Sequence, residues 1–142
     1  MVREYPAQPL VGLGAIVWKD GKVLMVQRGK PPRAGIWSLP GGAQHLGETV
    51  AQGIHREIAE ETGVRIELLG LVDVIDSVQT APDGRILYHY TIIDYAARWV
   101  GGEVVAGDDA AAAAWVDPAE LHKLDLWEET HRVIEKSRLW LG

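Results

Sequence analysis

Residues 42–64 read GAQHLGETVAQGIHREIAEETGV, and this stretch carries the strongest pattern in the chain. From Glu48 to Thr62 helix-forming residues follow one another without a proline, with Gly53 as the one glycine among them. Gly63 comes next, and glycine is the residue that most often ends a helix at its C-terminal cap. The pattern therefore predicts a helix that runs from Glu48 to Thr62.

Three glutamates share one face of this helix. At about 100° per residue, Glu61 lies about 40° from Glu57, and Glu60 lies about 60° to the other side of it. The same projection shows an apolar stripe that overlaps Glu57 and Glu61 and consists of Val50, Ile54 and Ile58. Acids beside a buried face need compensation, and oxygen ligands of this kind favour Mg²⁺, with Mn²⁺ as a substitute. Taken alone, the acids also fit a surface helix with an Arg56–Glu60 ion pair.

Fixed residue types surround this helix at a regular spacing. Each position of one pattern is filled, by Gly42, Glu48, Arg56, Glu57, apolar Ile58, Glu60, Glu61, Thr62, Gly63 and apolar Val64. Here the sequence resembles the Nudix hydrolase family, whose signature, the Nudix box, has this composition and spacing over residues 42–64. Residues 37–42, Trp-Ser-Leu-Pro-Gly-Gly, look like the family's lead-in. The resemblance implies an α/β fold, namely an α/β/α sandwich with a mixed β-sheet, one box helix and a C-terminal helix.

The resemblance also implies a reaction, the Mg²⁺-dependent cleavage of a phosphoanhydride by water. This chemistry requires that charge on the phosphate oxygens be neutralised and that a water be aligned with the leaving oxygen. By similarity, the metal ligands are Glu57, Glu61, Glu60 and the carbonyl of Gly42. Glu60 is alternatively the base that orients the water.

Two further box residues support these acids by similarity. Arg56 would clamp Glu60 or the neighbouring acids within the catalytic group. Glu48 would lie behind the metal ligands and orient them. An acid that favours a helix N-terminus is the alternative interpretation of Glu48.

Many family members recruit another acid from a loop beyond the box. Glu103 precedes Trp115 at a spacing similar to that in members that cleave 8-oxo-dGTP. Asp108 and Asp109 occupy the loop that supplies a base in several ADP-sugar members. The sequence therefore leaves Glu103 and Asp109 as catalytic candidates beside Asp108, and for each the alternative is a solvated loop acid.

Candidate substrate contacts surround the lead-in. Arg28 ends a predicted strand, and Lys30 and Arg33 follow it, so these cations form a small basic group in which Arg28 is the candidate phosphate contact. Trp37 is a candidate for stacking on a base, although a tryptophan beside Pro-Gly-Gly also suits a packing role. His45, inside the box, faces either the substrate or solvent.

Outside the box the chain is mostly β-type. Apolar alternation and turn residues predict two hairpins, the first of Val11–Val17 with Lys22–Gln27 and the second of Val64–Val78 with Ile86–Ala96. Ile36–Leu39 and Ala114–Val116 read as short strands, and the alanines of residues 110–114 read as a connector. A helical turn at Asp117–Leu121 and a closing helix at Leu126–Leu139 complete the prediction of helices packed on a mixed sheet.

The composition sets the limits of these interpretations. The 142 residues fit one domain, residues 1–142, and the absence of cysteine excludes disulfides, thiolate nucleophiles and Cys-ligated zinc. A net charge of −6 gives no general attraction for nucleic acid or for an anionic membrane. We expect a cytoplasmic protein without a signal peptide or membrane span. A homodimer is allowed, but no sequence feature identifies an interface.

The substrate expected from the resemblance is a small nucleotide. The leading hypothesis is a nucleoside diphosphate linked to a sugar or similar moiety, as in ADP-ribose. Pyrophosphohydrolysis of (deoxy)nucleoside triphosphates, including oxidised ones, is the alternative, and Pro82 comes too late to match the proline of many ADP-ribose enzymes. A non-catalytic Nudix-fold module that binds nucleotide is the alternative from another class, although such modules commonly lose box carboxylates.

Overall fold

The computed structural model describes residues 3–29, 34–107 and 110–142. The strands are β1 (Leu10–Lys19), β2 (Lys22–Arg28), β3 (Trp37–Ser38), β4 (Gly41–Ala43), β5 (Arg65–Thr80), β6 (Ile86–Gly101) and β7 (Ala110–Val116). The helices are α1 (Val50–Thr62) and α2 (Glu128–Ser137), with short 3₁₀ segments at Pro118–Lys123 and Arg138–Trp140. No helix in these ranges is long and apolar enough to cross a bilayer.

The described strands form one mixed sheet with β1 near its middle. The order along the sheet is β3-β2-β1-β6-β5, while β4 pairs with β1 and β7 pairs with β2. Strands β1 and β6 run parallel, and the other pairs are antiparallel. Both hairpins expected from the sequence, β1 with β2 and β5 with β6, are therefore confirmed.

Each face of the sheet carries its own apolar core, because successive side chains of a strand point to opposite faces. One cluster lies on the α1 side and includes Leu13, Ala15, Ile54 and Ile58. The other lies on the α2 side and includes Ile16, Trp18, Val133 and Ile134. This arrangement of a mixed sheet between helices confirms the expected α/β/α sandwich.

Three sequence expectations about element limits were wrong. Helix α1 begins at Val50 and not at Glu48, because Thr49 adopts extended backbone angles and caps the helix. The alanines of residues 110–114 belong to β7 and not to a connector, because their backbone pairs with β2. The closing helix is confined to α2, and a 3₁₀ segment at Arg138–Trp140 replaces its expected last turn.

Candidate active site

Helix α1 is held by local signals at both ends. The Thr49 hydroxyl accepts a hydrogen bond from the Gln52 backbone N–H at 3.1 Å, and the Gln52 side chain accepts one from the Thr49 N–H at 2.9 Å. At the other end Gly63 has a φ of 76°, and its N–H donates to the Ala59 carbonyl. These caps fix where the turns of α1, and therefore its glutamates, lie against the sheet.

The two glycines of β4 bring the backbone of the sheet against the acids of α1. The Gly41 N–H donates to Glu61 Oε1 at 2.9 Å. A Cβ on Gly42 would lie 2.5 Å from the Glu57 carboxyl carbon, and one on Gly41 would lie 1.9 Å from the Leu13 carbonyl oxygen. Only glycines permit this approach. Glu57, Glu61 and the Gly42 backbone therefore converge at one place, although they come from two separate elements.

Arg56 connects the acids of the box. Its guanidinium binds both carboxylate oxygens of Glu48, with Nε at 3.0 Å and Nη2 at 2.8 Å. Nη1 donates to Glu57 Oε1 at 2.7 Å and to Glu60 Oε2 at 3.2 Å. Nη2 also donates to the Ala43 carbonyl at 3.1 Å. One arginine thus ties three glutamates to each other and to the end of β4.

Glu48 lies before the first turn of α1 and is not one of the residues of that turn. Its interactions are instead with Arg56 and His45. Besides Arg56 it accepts the His45 backbone N–H at 2.7 Å. The Arg56 guanidinium and that N–H lower the pKa of Glu48 to about 2, and the carboxylates of Glu48 and Glu57 raise the pKa of Arg56. The pair remains ionised at any pH at which the protein is expected to work.

The donor set suits a hard divalent cation. Glu57 has 17% of its side chain exposed, while Glu60 has 62% exposed and extends toward solvent. In the described ranges no three acidic, histidine or cysteine side chains are close enough to hold an ion by themselves. Two carboxylates, from Glu57 and Glu61, and the Gly42 carbonyl form the alternative set. Mg²⁺ accepts such an incomplete set of oxygens, because it keeps waters and takes further ligands from substrate phosphates.

The loop after β6 docks on the C-terminal end of α1. The Gly107 N–H donates to the Glu61 carbonyl at 2.7 Å, and the Val105 N–H donates to the Thr62 carbonyl at 2.9 Å. A Cβ on Gly107 would lie 2.1 Å from the Glu60 carbonyl oxygen. This contact was not predicted from the sequence, in which Gly107 was the available signal. Val105 and Gly107 therefore lie against the end of the helix that carries the box glutamates.

The candidate acids of this loop are placed unequally. Glu103 is exposed, and its backbone carbonyl would lie 3.1 Å from a Cβ built on Gly63. Asp108 and Asp109 lie outside the described residues. The structure therefore places Glu103 near the end of α1 and leaves Asp109 a sequence prediction.

The candidate substrate contacts lie in three different surroundings. Arg28 is exposed at the end of β2, where its backbone N–H donates to the Ile36 carbonyl. Trp37 is half-buried and packs against the α2-side core, as its alternative packing role requires. His45 is exposed and meets Glu48 through its backbone. Lys30 and Arg33 lie outside the described residues.

A groove on the α2 side was not anticipated from the sequence. Its volume is about 860 Å³, and its lining includes Ile36, Ser77, Tyr90, Ile92, Asp125 and Trp127. Trp127 occupies the N-cap of α2 without a side-chain capping bond and is half-exposed, although small polar residues are preferred there. A tryptophan at a helix start is the signal that could have identified this groove.

Asp94 is a buried acid that was not predicted from the sequence. It lies on β6 with only 5% of its surface exposed. Burial, with a smaller contribution from the charge of Asp73, raises the pKa of Asp94 to about 6. The available signal was an aspartate at a core-facing position between Ile92 and Ala96 of an apolar strand.

Comparisons with known proteins agree with this geometry. Residues 8–137 match the family model described as the NUDIX domain. An ADP-ribose pyrophosphatase from Methanocaldococcus jannaschii is 36% identical over 93% of this chain and 75% of its own length. A putative 8-oxo-dGTP diphosphatase 2 from Mycobacterium tuberculosis is 39% identical over 82% of this chain and 78% of its own length.

A solved structure extends the agreement to three dimensions. The crystal structure of a MutT NUDIX hydrolase from Burkholderia pseudomallei superimposes with a TM-score of 0.78. It is 33% identical and covers 91% of this chain and 98% of its own. The fold, the filled Nudix box and these similarities together show that the chain belongs to the Nudix hydrolase family.

Proposed function

We propose that this Nudix hydrolase cleaves the phosphoanhydride bond of a nucleoside diphosphate linked to another moiety, of the ADP-ribose or nucleotide-sugar type, with Mg²⁺ as its metal and Mn²⁺ as a substitute. The observation that carries the proposal is the convergence of Glu57, Glu61 and the Gly42 backbone at the β4–α1 junction. The similarity to a protein named ADP-ribose pyrophosphatase over most of the chain supports the substrate class.

The proposed reaction is a hydrolysis in which water attacks one phosphorus of the anhydride. The bond from that phosphorus to the bridging oxygen breaks, and the oxygen leaves with the second phosphoryl group. A bound divalent cation supplies charge neutralisation on the phosphate oxygens and lowers the pKa of water. The proton of the attacking water must pass to a base within hydrogen-bond reach.

Each box residue has a defined task in this proposal. Glu57 and Glu61 hold the cation with the Gly42 carbonyl. Glu60 extends furthest into solvent, so it is the acid best placed to accept a proton or to complete the ligand set. Arg56 and Glu48 keep the acids in register, because their bidentate pair anchors the guanidinium that contacts Glu57 and Glu60.

The groove on the α2 side is the proposed place for the nucleoside. Its volume of about 860 Å³ is sufficient for a nucleotide-sized ligand. Tyr90 and Trp127 offer aromatic rings, and Ile36 connects the groove along the chain to the lead-in segment. Asp76 and Asp125 of its lining disfavour phosphate there, so the diphosphate would lie outside the groove, toward the box acids.

A second candidate function is the pyrophosphohydrolysis of (deoxy)nucleoside triphosphates, including oxidised ones. The similarity to a protein named as an 8-oxo-dGTP diphosphatase favours it, since that relative has a higher identity over a shorter match. The box residues would act alike on either substrate. The two functions therefore differ in the groove and the flanking loops.

A substrate panel tests the proposal. Metal-stripped protein is supplied with Mg²⁺ or Mn²⁺ and offered ADP-ribose, other nucleotide sugars, dinucleoside polyphosphates and (deoxy)nucleoside triphosphates, with products separated by chromatography. AMP and ribose 5-phosphate from ADP-ribose support the leading function. A nucleoside monophosphate and pyrophosphate from a triphosphate support the second. Folded protein that binds nucleotide but hydrolyses nothing would instead identify a binding module.

A further inference from the structure

Asp94 lies beside the groove and is unexplained by the box chemistry. Tyr90 and Ile92 of β6 both line the groove. Alternate residues of a strand point to the same face and are about 6.6 Å apart, so Asp94 is the next side chain on that face after Ile92. Asp94 is not itself one of the residues that line the groove, and it lies one step of this strand face beyond Ile92.

The Asp94 carboxyl has no hydrogen-bond partner within the described parts of the chain. No side-chain oxygen or nitrogen there is both fully enclosed and unpaired. The carboxyl oxygens of Asp94 therefore keep a small accessible surface, although only 5% of the residue is exposed. This small accessible surface is the part of Asp94 that a ligand in the neighbouring groove could reach.

The Asp94 carboxyl lies over a part of the neighbouring strand that has no side chains. Gly12 and Gly14 of β1 face Ile92 and Asp94 in the parallel register. A Cβ on Gly14 would lie 2.4 Å from Asp94 Oδ1, so the carboxyl leans over the backbone of β1. Because glycine has no side chain, nothing from these two positions of β1 covers the acid.

The charged groups around Asp94 are occupied with one another. Asp73 is its cross-strand neighbour on β5. Arg132 and Lys136 of α2 contact Asp73 at 2.7 and 3.5 Å, and Arg132 also binds Glu129. These cations lie closest to other acids, so Asp94 keeps its capacity to accept hydrogen bonds.

We propose that Asp94 is a specificity-determining residue that accepts a hydrogen bond from an amino group on the base edge of the substrate. The inference rests on the proposed function, because it assigns the groove to the nucleoside. Tyr90, Ile92 and Trp127 offer the groove surface on which a planar base can lie, and Asp94 is a nearly buried acceptor next to that surface, whereas Asp76 and Asp125 of the lining are exposed. A base without an amino group would leave this acceptor unpaired, and sites of this type discriminate strongly against such analogues.

Binding of nucleoside monophosphates in EDTA tests the inference without hydrolysis. AMP, GMP, IMP and dGMP are titrated against the tryptophan fluorescence of the wild-type protein and of the Asp94→Asn and Asp94→Ala variants. We expect AMP or GMP to bind at least tenfold more tightly than IMP, which lacks the amino group. We expect Asp94→Ala to lose that preference.

Controls separate this inference from folding and from catalysis. Asp83→Asn removes a charge from the turn of the same hairpin and should keep the wild-type preference. Near-ultraviolet circular dichroism identifies a variant that has lost its packing. If Asp94→Ala has lost it, Asp94→Asn, which has nearly the same shape, takes its place: its amide keeps one neutral acceptor oxygen and gains a donor, so the preference should become weaker, and an unchanged preference overturns the inference. Equal binding of IMP, GMP and AMP by the wild type, or an unchanged preference in Asp94→Ala, overturns the inference. If Asp94→Ala weakens the binding of dGMP and of GMP equally, the contact is with the base. If it weakens the binding of GMP alone, the contact is with the ribose and the inference is overturned.

The inference and the proposed function fail in different ways. If the substrate panel shows no hydrolysis while the amino preference depends on Asp94, the base contact stands and the catalytic proposal falls. If hydrolysis is found and its KM for every substrate is unchanged in Asp94→Asn and Asp94→Ala, the catalytic proposal stands and the role of Asp94 is wrong.

Discussion

Two acidic residues of this molecule have pKa values that are shifted in opposite directions. Glu48 meets a guanidinium and a backbone N–H, and these contacts lower its pKa to about 2. Asp94 meets neither, and burial raises its pKa to about 6. Glu48 therefore adds stability above its ordinary pKa of 4.5, and this stability is lost as the pH falls toward 2. Asp94 favours the fold only when protonated, and its contribution declines as the pH rises through 6.

The first prediction concerns the stability cost of Asp94. Because its pKa rises from 3.8 to about 6, ionised Asp94 lowers the free energy of unfolding at pH 8. At about 1.4 kcal/mol per unit of pKa, Asp94→Asn should raise stability at pH 8 by roughly 2–3 kcal/mol. Urea unfolding at pH 8 and pH 4 measures the difference, which should be much smaller at pH 4. Asp73→Asn, which breaks ion pairs with Arg132 and Lys136, should destabilise the protein. Equal stability of the wild type and Asp94→Asn at pH 8 would show that the burial of ionised Asp94 does not destabilise the protein.

The second prediction concerns the box acids. Glu60→Gln and Glu61→Gln should each lower kcat by two orders of magnitude or more while the protein stays folded, because an amide is a poor metal ligand and a poor base. Steady-state kinetics with saturating Mg²⁺ and circular dichroism measure the two effects. Glu120→Gln, in the 3₁₀ segment that pairs with Lys123, is the matched control and should retain full activity. A loss of only twofold in both box variants would contradict the catalytic assignment.

Among the secondary-structure elements, α1 was predicted in the most detail. The helical projection placed Glu57 and Glu61 beside the apolar stripe and Glu60 further out. In the structure Glu57 is 17% exposed and Glu60 is 62% exposed, in the predicted order. This success has a local cause, because periodicity and caps are properties of neighbouring residues.

The elements that were not predicted from the sequence depend on partners that are distant along the chain. Strand β4 has only three residues, two of them glycine, and exists because its backbone pairs with β1. Strand β7 begins with alanines, which have little β-propensity, and exists because β2 offers an edge. The groove and Asp94 combine residues of β5, β6 and the start of α2, which no local pattern connects. Sequence therefore predicted the box and missed the surface around it.

The third prediction concerns the docked loop after β6. Gly107→Ala would place a Cβ 2.1 Å from the Glu60 carbonyl oxygen, so the loop must move off the end of α1. We expect kcat/KM to fall at least tenfold, with a smaller effect on the melting temperature, because Glu60 and Glu61 lose a neighbour that fixes their backbone. Ala106→Ser, at the exposed adjacent position, should be silent. Wild-type kcat/KM in Gly107→Ala would show that the loop takes no part in the reaction.

At the scale of the whole molecule, the box acids and the groove belong to different surroundings of one sheet. The α1 side carries the box acids, and the α2 side carries the groove and Asp94. With a net charge of −6, the protein as a whole repels a polyanionic nucleotide. Arg56, the cation of the box, is already bound by three glutamates. In the proposed function, a bound metal ion supplies positive charge that a diphosphate needs, in addition to the candidate phosphate contact Arg28.

The last prediction follows from this distribution of charge. A ligand that binds only the folded state adds about 2.7 kcal/mol to the free energy of unfolding when its concentration is one hundred times its Kd. For a chain of this size, each added kcal/mol raises the melting temperature by about 3 °C. Saturating Mg²⁺ should therefore raise the melting temperature by roughly 5–10 °C over protein in EDTA at equal ionic strength, as measured by calorimetry. The metal-free protein should remain folded, because Arg56 already neutralises Glu57. Glu61→Gln should lose most of the shift, whereas Glu67→Gln, whose native partner is Arg98 on the surface of the sheet, should keep it. A full shift in both Glu57→Gln and Glu61→Gln would place the metal elsewhere and remove the main support for the proposed reaction.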